Sequence, residues 1–174
     1  MRATPFQPVS ESSNVPVWKL HGSCNMFATQ VNATPGVMYS AGVSFEGGIE
    51  ALFDTHKVIG RCLSETALAP VMCLYMRDKP LSVSPTAIKV LQNMWQTAVR
   101  DSAAIFCVGV NPYAADAHVW NPIAESSADL YFIGGQAQFQ QWVSDYRPNG
   151  SVFLSDRFGD GFRTLKETLA KYAA

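Results

Sequence analysis

The sequence predicts an α/β fold, a parallel sheet with helices on both faces, and three observations carry that expectation. Ala103-Ala104-Ile105-Phe106-Cys107-Val108 is a continuous apolar run ended by Gly109-Val110-Asn111-Pro112, the pattern of a strand buried on both faces. Apolar stripes at helical spacing stand on either side of it, Ile88, Leu91, Trp95 and Ala98 before, Phe139, Trp142, Val143 and Tyr146 after. The later part of the chain alternates helix, strand, helix, strand, helix, strand, helix, and such alternation builds parallel sheets from crossover units.

Taken in order, residues 1–14 read as a flexible lead-in, rich in Ser, Pro and Asn and without a periodic apolar face. The remainder, 15–174, reads as a single domain. Residues 15–20 predict its first strand, with Pro16 near the start, where a missing amide disturbs the ladder least. The strand stops at His21-Gly22-Ser23. An irregular β-rich insertion follows over 24–69; within it, 43–46 and 49–53 flank Gly47-Gly48, the mark of a two-residue hairpin loop. Between 54 and 69, a helical face of Val58, Ile59 and Leu63 competes with irregular structure. Residues 71–76 predict a short strand, and Arg77-Asp78-Lys79-Pro80 a turn. Ser84 and Pro85 cap the next helix. Asn111-Pro112 supplies another helix start, which Asn121-Pro122 kinks or restarts. Residues 130–133 predict a buried strand ended by the turn Gly134-Gly135, and Arg147-Pro148-Asn149-Gly150 leads into a last strand over 151–154. Asp160 or Gly161 opens a terminal helix with Phe162, Leu165, Leu169 and Tyr172 facing inward.

The 174 residues, 48% hydrophobic and 16% charged, suffice for one proper core. A net charge of -1 offers no basic field to hold a nucleic-acid backbone or an anionic membrane, so neither is an expected partner. There is no transmembrane run, and 1–14 lacks the apolar core of a signal peptide; the expected compartment is the cytoplasm. Cys24, Cys62, Cys73 and Cys107 contain no Cys-x-x-Cys pair, which predicts reduced thiols and no metal site. Cys24 alone, close to His21 in a Gly-Ser turn, has the setting of a nucleophile. His56 reads as solvated and His118 as a hydrogen-bonding residue at a helix start. Trp18, Trp95, Trp120 and Trp142 read as core aromatics.

The strand, glycine turn and helix start at Gly109-Val110-Asn111 belong at the carboxyl ends of the strands, where open α/β sheets bind ligands and helix amino termini favour phosphates. His21-Gly22-Ser23 shares that rim if its strand runs parallel. The first functional expectation is therefore a nucleotide site.

The run Val17-Trp18-Lys19-Leu20-His21-Gly22-Ser23 resembles the Lys-Leu-His-Gly-Ser strand ending of sirtuin-like proteins, particularly their bacterial branch without zinc. Cys107-Val108-Gly109-Val110-Asn111, with Asp116-Ala117-His118-Val119-Trp120 after it, is similar to that branch's second signature. The order of elements from 15 to 171 also fits the carboxyl-terminal part of such a domain. The resemblance implies a partial Rossmann-like domain that takes NAD or ADP-ribose, with no zinc. It implies that His21 is the catalytic base on the nicotinamide-side ribose and that the activity is hydrolytic cleavage of NAD to nicotinamide and ADP-ribose. Nicotinamide is a cationic leaving group, and a histidine near neutral pKa takes the proton of a ribose hydroxyl or a nucleophile. By the same resemblance Gly22, Ser23, Gly109, Val110, Asn111 and Asp116 approach the cofactor, and the loop bearing Asp156 and Arg157 lies near the adenosine end. Family members also carry a Gly-Ala-Gly phosphate loop and a Thr-x-Asn-x-Asp segment, and this sequence has neither. The expectation is a shortened member, inactive as an isolated chain. The alternative is a non-catalytic ligand-sensing or interaction module that pairs with another chain or a second copy of itself. A part in antiphage defence attaches to the family alone.

Overall fold

The computed structural model describes residues 17–33, 45–64, 70–72 and 83–172. By its contacts the chain divides into two units, Met1–Asn93 and Met94–Ala174, and each is described by itself.

In the first unit, β1 (Met26–Ala33) pairs antiparallel with β2 (Phe45–Ala51), Met26 opposite Ala51 and Ala28 opposite Ile49. The glycine pair expected to form the hairpin loop lies inside β2 instead. Gly48 stands across from Thr29, whose Oγ1 would be 2.8 Å from any Cβ there, so the position is kept small by close approach of the partner strand and not by a turn. Helix α1 (Thr55–Cys62) is opened by Asp54, whose Oδ1 accepts from the amides of His56 at 2.8 Å and Lys57 at 3.1 Å. It buries none of its residues. Helix α2 (Pro85–Asp101) begins in this unit at Pro85, as expected, and from Met94 on its residues count with the second unit. Ser84 before it has φ +47, and its hydroxyl donates to the Gly47 carbonyl at 3.4 Å, tying the helix start to β2. Ala28, Val71, Val83, Ile88 and Leu91 form the core of this unit, with Trp18, Met26 and Ile49 against it.

The strand expected over 15–20 does not form in its described part. Residues 17–19 are irregular, and the Gly22 amide bonds the Lys19 carbonyl at 2.8 Å, closing a turn where a strand would have continued. Gly22 alone makes an antiparallel bridge, to Met72. Of the strand expected over 71–76, Val71 and Met72 are described; 73–76 with Cys73, the turn at 77–80, residues 43–44 and the lead-in 1–14 lie outside the described residues.

In the second unit, β3 (Ala104–Val108), β4 (Asp129–Ile133) and β5 (Ser151–Ser155) form a parallel sheet in the order β3-β4-β5. Helices α3 (Ala117–Glu125), α4 (Gln136–Tyr146) and α5 (Phe158–Ala170) alternate with them as expected. Successive strand residues point to opposite faces, so Ile105, Cys107, Leu130 and Phe132 line one face. There they meet Trp120 and Ile123 of α3 and Phe139 and Trp142 of α4. Leu130 and Phe132 are wholly buried, and each contributes about 1.5–3 kcal/mol. On the other face the Phe106 and Tyr131 rings stack at 5.0 Å, with Tyr172 edge-on to both. Gly161 brings α5 so near that face that a Cβ would stand 2.8 Å from Ile133 Cδ1. The sheet is thus flanked by helices on both sides.

Three boundaries differ from expectation. Asn111-Pro112 does not open α3; a 3-10 turn, Ala114–Asp116, intervenes. The helix then runs through Pro122 without interruption, since one missing amide removes a single ladder bond in a helix that ends at Glu125. Helix α5 begins at Phe158, and its buried residues are Gly161, Leu165 and Thr168. Contact at Gly161 sets the rotation of the helix, and Phe162 and Leu169, expected inside, are 51% and 45% exposed. No helix among the described residues is long and apolar enough to cross a membrane.

Candidate functional site

The carboxyl ends of β3, β4 and β5 lie side by side, and the ladder extends just beyond each strand. The Gly109 amide donates to the Ile133 carbonyl at 2.9 Å, and the Gly134 amide to the Ser155 carbonyl at 3.0 Å. Gly109 holds φ +67, a conformation costly to any residue with a Cβ, yet nothing lies within 4 Å of where that Cβ would be. Packing does not demand the glycine; the turn does, and the space above it is open. Val110 and Asn111 follow, both exposed. A Cβ on Gly135 would stand 3.4 Å from Asn111 Oδ1, so the ends of β3 and β4 bring these two residues together.

Helix α4 starts from Gly135, which has no side chain with which to cap it. Asp156, at the end of β5, supplies the missing acceptor: its Oδ1 takes the Gln136 amide at 3.1 Å. A carboxylate at a helix amino terminus satisfies an orphan donor and opposes the positive end of the helix dipole. It also occupies the place an anion would take there. Arg157 stands at the start of α5, exposed, its amide on Ser155 Oγ at 3.2 Å, and its own side chain makes no capping bond to that helix. Asp116 flanks α3 without a capping bond, and its carboxylate and the His118 imidazole lie within 4.8 Å of one another, both half-buried.

In the first unit, His21-Gly22-Ser23 is a turn pinned to Val71. Gly22 has φ +74, and a Cβ there would fall 1.9 Å from the Val71 carbonyl oxygen. The Ser23 amide donates to that same oxygen at 3.0 Å. Lys19 Nζ donates to Ser23 Oγ at 2.8 Å and to Asn25 Oδ1 at 3.2 Å. Gly22 and Ser23 therefore have full structural occupations, and His21 beside them is half-buried.

The structure thus places Gly109, Val110, Asn111, Asp156 and Arg157 at the ends of adjacent strands and Asp116 at the start of α3. The cap that Asp156 gives to α4 is the relationship the sequence reading missed. A helix opening on Gly134-Gly135 has no acceptor of its own, and the acid ending the next strand is the signal for one. Cys107 is no nucleophile for this rim: burial pushes its thiol up to about 12, against the opposing pull of the Arg147 charge. Cys24 is exposed.

Fold and rim together define an α/β protein with a short parallel sheet, two of whose three strands end on glycine turns. The chain matches no protein-family model, no curated protein and no solved structure.

Proposed function

We propose that the second unit is a Rossmann-like module that binds the ADP-ribose part of NAD across the ends of β3, β4 and β5. The observation that carries this reading is Gly109, left-handed at the end of a buried parallel strand, with open space where a side chain would be. A ligand backbone reaches main-chain groups at such a place. Asn111 offers an amide to the ribose or the diphosphate, Arg157 a cation to the diphosphate, and Asp156 a carboxylate to a ribose hydroxyl. The Asp156 cap disfavours a phosphate at α4, so the diphosphate faces the start of α5, where Arg157 makes no capping bond. The resemblance to zinc-less sirtuin-like proteins adds Val110 and Asp116 near the dinucleotide in this unit, and by itself gives His21 the part of a base on the nicotinamide-side ribose. Because the sequence lacks the Gly-Ala-Gly and Thr-x-Asn-x-Asp segments, the chain alone is a binder of NAD and not an efficient hydrolase.

Calorimetry with ADP-ribose and NAD tests the reading. Wild type binds both, and Asn111→Ala and Arg157→Ala each weaken binding about tenfold, the effect of one polar or charge-assisted contact. Absence of binding with ligand at about 1 mM, the weak limit of specific recognition, overturns it. Nicotinamide release abolished by His21→Ala would show instead that this chain is a complete enzyme.

A second reading, a non-catalytic module that pairs with another chain, is favoured by the sheet's edge. Among the described residues β5 has one neighbouring strand, and its Val152 is 45% exposed. A solution mass equal to one chain counts against it.

A further inference from the structure

Between α3 and α4 runs a groove of about 660 Å³, within the size range of small-molecule sites. Small side chains create it. Ala117 and Ala124 on α3 and Ala137 on α4 leave the helices without interlocking residues along that side. Aromatic and amide side chains complete the lining: Trp120 and Trp142, buried and edge to face at 5.3 Å, give it only their margins, Tyr113 and Tyr146 are exposed, and Asn121, Gln138 and Gln141 add polar groups.

Among thirteen lining residues the single charge is Asp145. Gln141 Nε2 donates to that carboxylate, at 3.1 Å from Oδ1 and 3.0 Å from Oδ2, a neutral partner that leaves its charge in place. Phenol faces attract cations, and the exposed rings here are Tyr113 and Tyr146; a carboxylate at the margin adds to that attraction while repelling anions. We propose that this groove is a binding site for a small organic cation, an aromatic or alkyl ammonium whose apolar body lies over Ala117, Ala124 and Ala137 and whose charge meets Asp145 beside the exposed ring of Tyr146. Charge and shape agree on this occupant: an anion meets an uncompensated carboxylate, and a neutral apolar molecule leaves that carboxylate without use. The site uses none of the residues assigned to ADP-ribose, so it stands or falls separately from that reading.

The test uses the whole chain and three probes of similar size: benzyltrimethylammonium, benzyl alcohol and phenylacetate, titrated by calorimetry. Benzyltrimethylammonium binds about tenfold tighter than benzyl alcohol, the worth of a cation–π contact joined to one carboxylate, and phenylacetate binds least. Asp145→Asn, an exposed position whose new side chain still partners Gln141, removes the preference for the cation and keeps the weaker binding of benzyl alcohol. Ala124→Leu fills the groove and abolishes binding of both; a thermal melt shows that this variant is folded. Equal affinity for the cation and the alcohol, no binding of the cation, or a preference that survives Asp145→Asn overturns the proposal. The Asp145→Asn arm decides the matter if Ala124→Leu does not fold.

Discussion

The guanidinium of Arg147 donates to the main-chain carbonyl of Ile123, in the last turn of α3, and with its other terminal nitrogen to the carbonyl of Ala128, just ahead of β4. Arg147 is 5% exposed. One side chain from the end of α4 therefore finishes a second helix and anchors the entry to the central strand. Arg147→Ala withdraws both donors from buried carbonyls and is expected to cost about 2–4 kcal/mol in urea unfolding. Arg147→Lys recovers only part, because an ammonium cannot present a planar fork to two acceptors. A loss below about 1 kcal/mol, the net worth of one ordinary hydrogen bond, would contradict this role.

Burial raises the Cys107 thiol from 9.0 to about 12. The folded state then holds this proton when the unfolded chain has released it, so the contribution is complete below pH 9 and shrinks as pH rises through the window from 9 to 12. Unfolding free energy should fall more steeply with pH in wild type than in Cys107→Ala, by about 1.4 kcal/mol per pH unit across that window. Alkylation of the native protein at pH 8 should mark exposed Cys24 and Cys62 and spare Cys107.

Tyr172, just beyond α5, donates to Asp129 Oδ2 at 2.5 Å and lies 3.0 Å from the Tyr131 hydroxyl. Those two hydrogen bonds, Asp129's first, hold its phenol above the usual tyrosine range. Spectrophotometric titration should show one tyrosine ionising late, and Tyr172→Phe should remove it. The same variant should speed amide exchange over the last turn of α5 and leave β4 protected.

Gly161 is where α5 touches the sheet. A methyl group there meets Ile133 Cδ1 at 2.8 Å and Ser155 Cβ at 3.0 Å, so Gly161→Ala forces the helix outward. The expected cost is about 1–3 kcal/mol by thermal unfolding, overriding the better helix propensity of alanine. An unchanged midpoint would mean that the helix does not seat at this residue.

The sequence made β3, β4, β5 and the stripe of α2 legible because each is a dense apolar block between strong breakers. Residues 26–33 read only as part of an irregular β-rich stretch because Thr29, Gln30 and Asn32 dilute their apolar content. Gly47-Gly48 looked like a loop because adjacent glycines most often turn a chain, and nothing local shows Thr29 pressing on Gly48 from the opposite strand. Residues 17–20 carry a strand's composition, but Gly22 folds back on Lys19. Periodicity alone puts Phe162 and Leu169 inside, and the contact at Gly161 turns the helix away from that arrangement. Gly109 and Asn111 were readable as a strand end; the bond from the Gln136 amide to Asp156 joins residues whose nearness only the sheet creates.

That bond has a consequence for anything that settles on the strand ends. Only Oδ1 of the Asp156 carboxylate takes the peptide group of Gln136, and a hydroxyl arriving from solvent that turns the carboxylate toward itself draws that oxygen away. Whatever pulls the acid outward loosens the opening coil of α4, and whatever tightens that coil makes the acid less available. Occupancy and helix fraying are thus two readings of one thermodynamic exchange, and a visitor at the rim makes itself felt along a helix it does not touch.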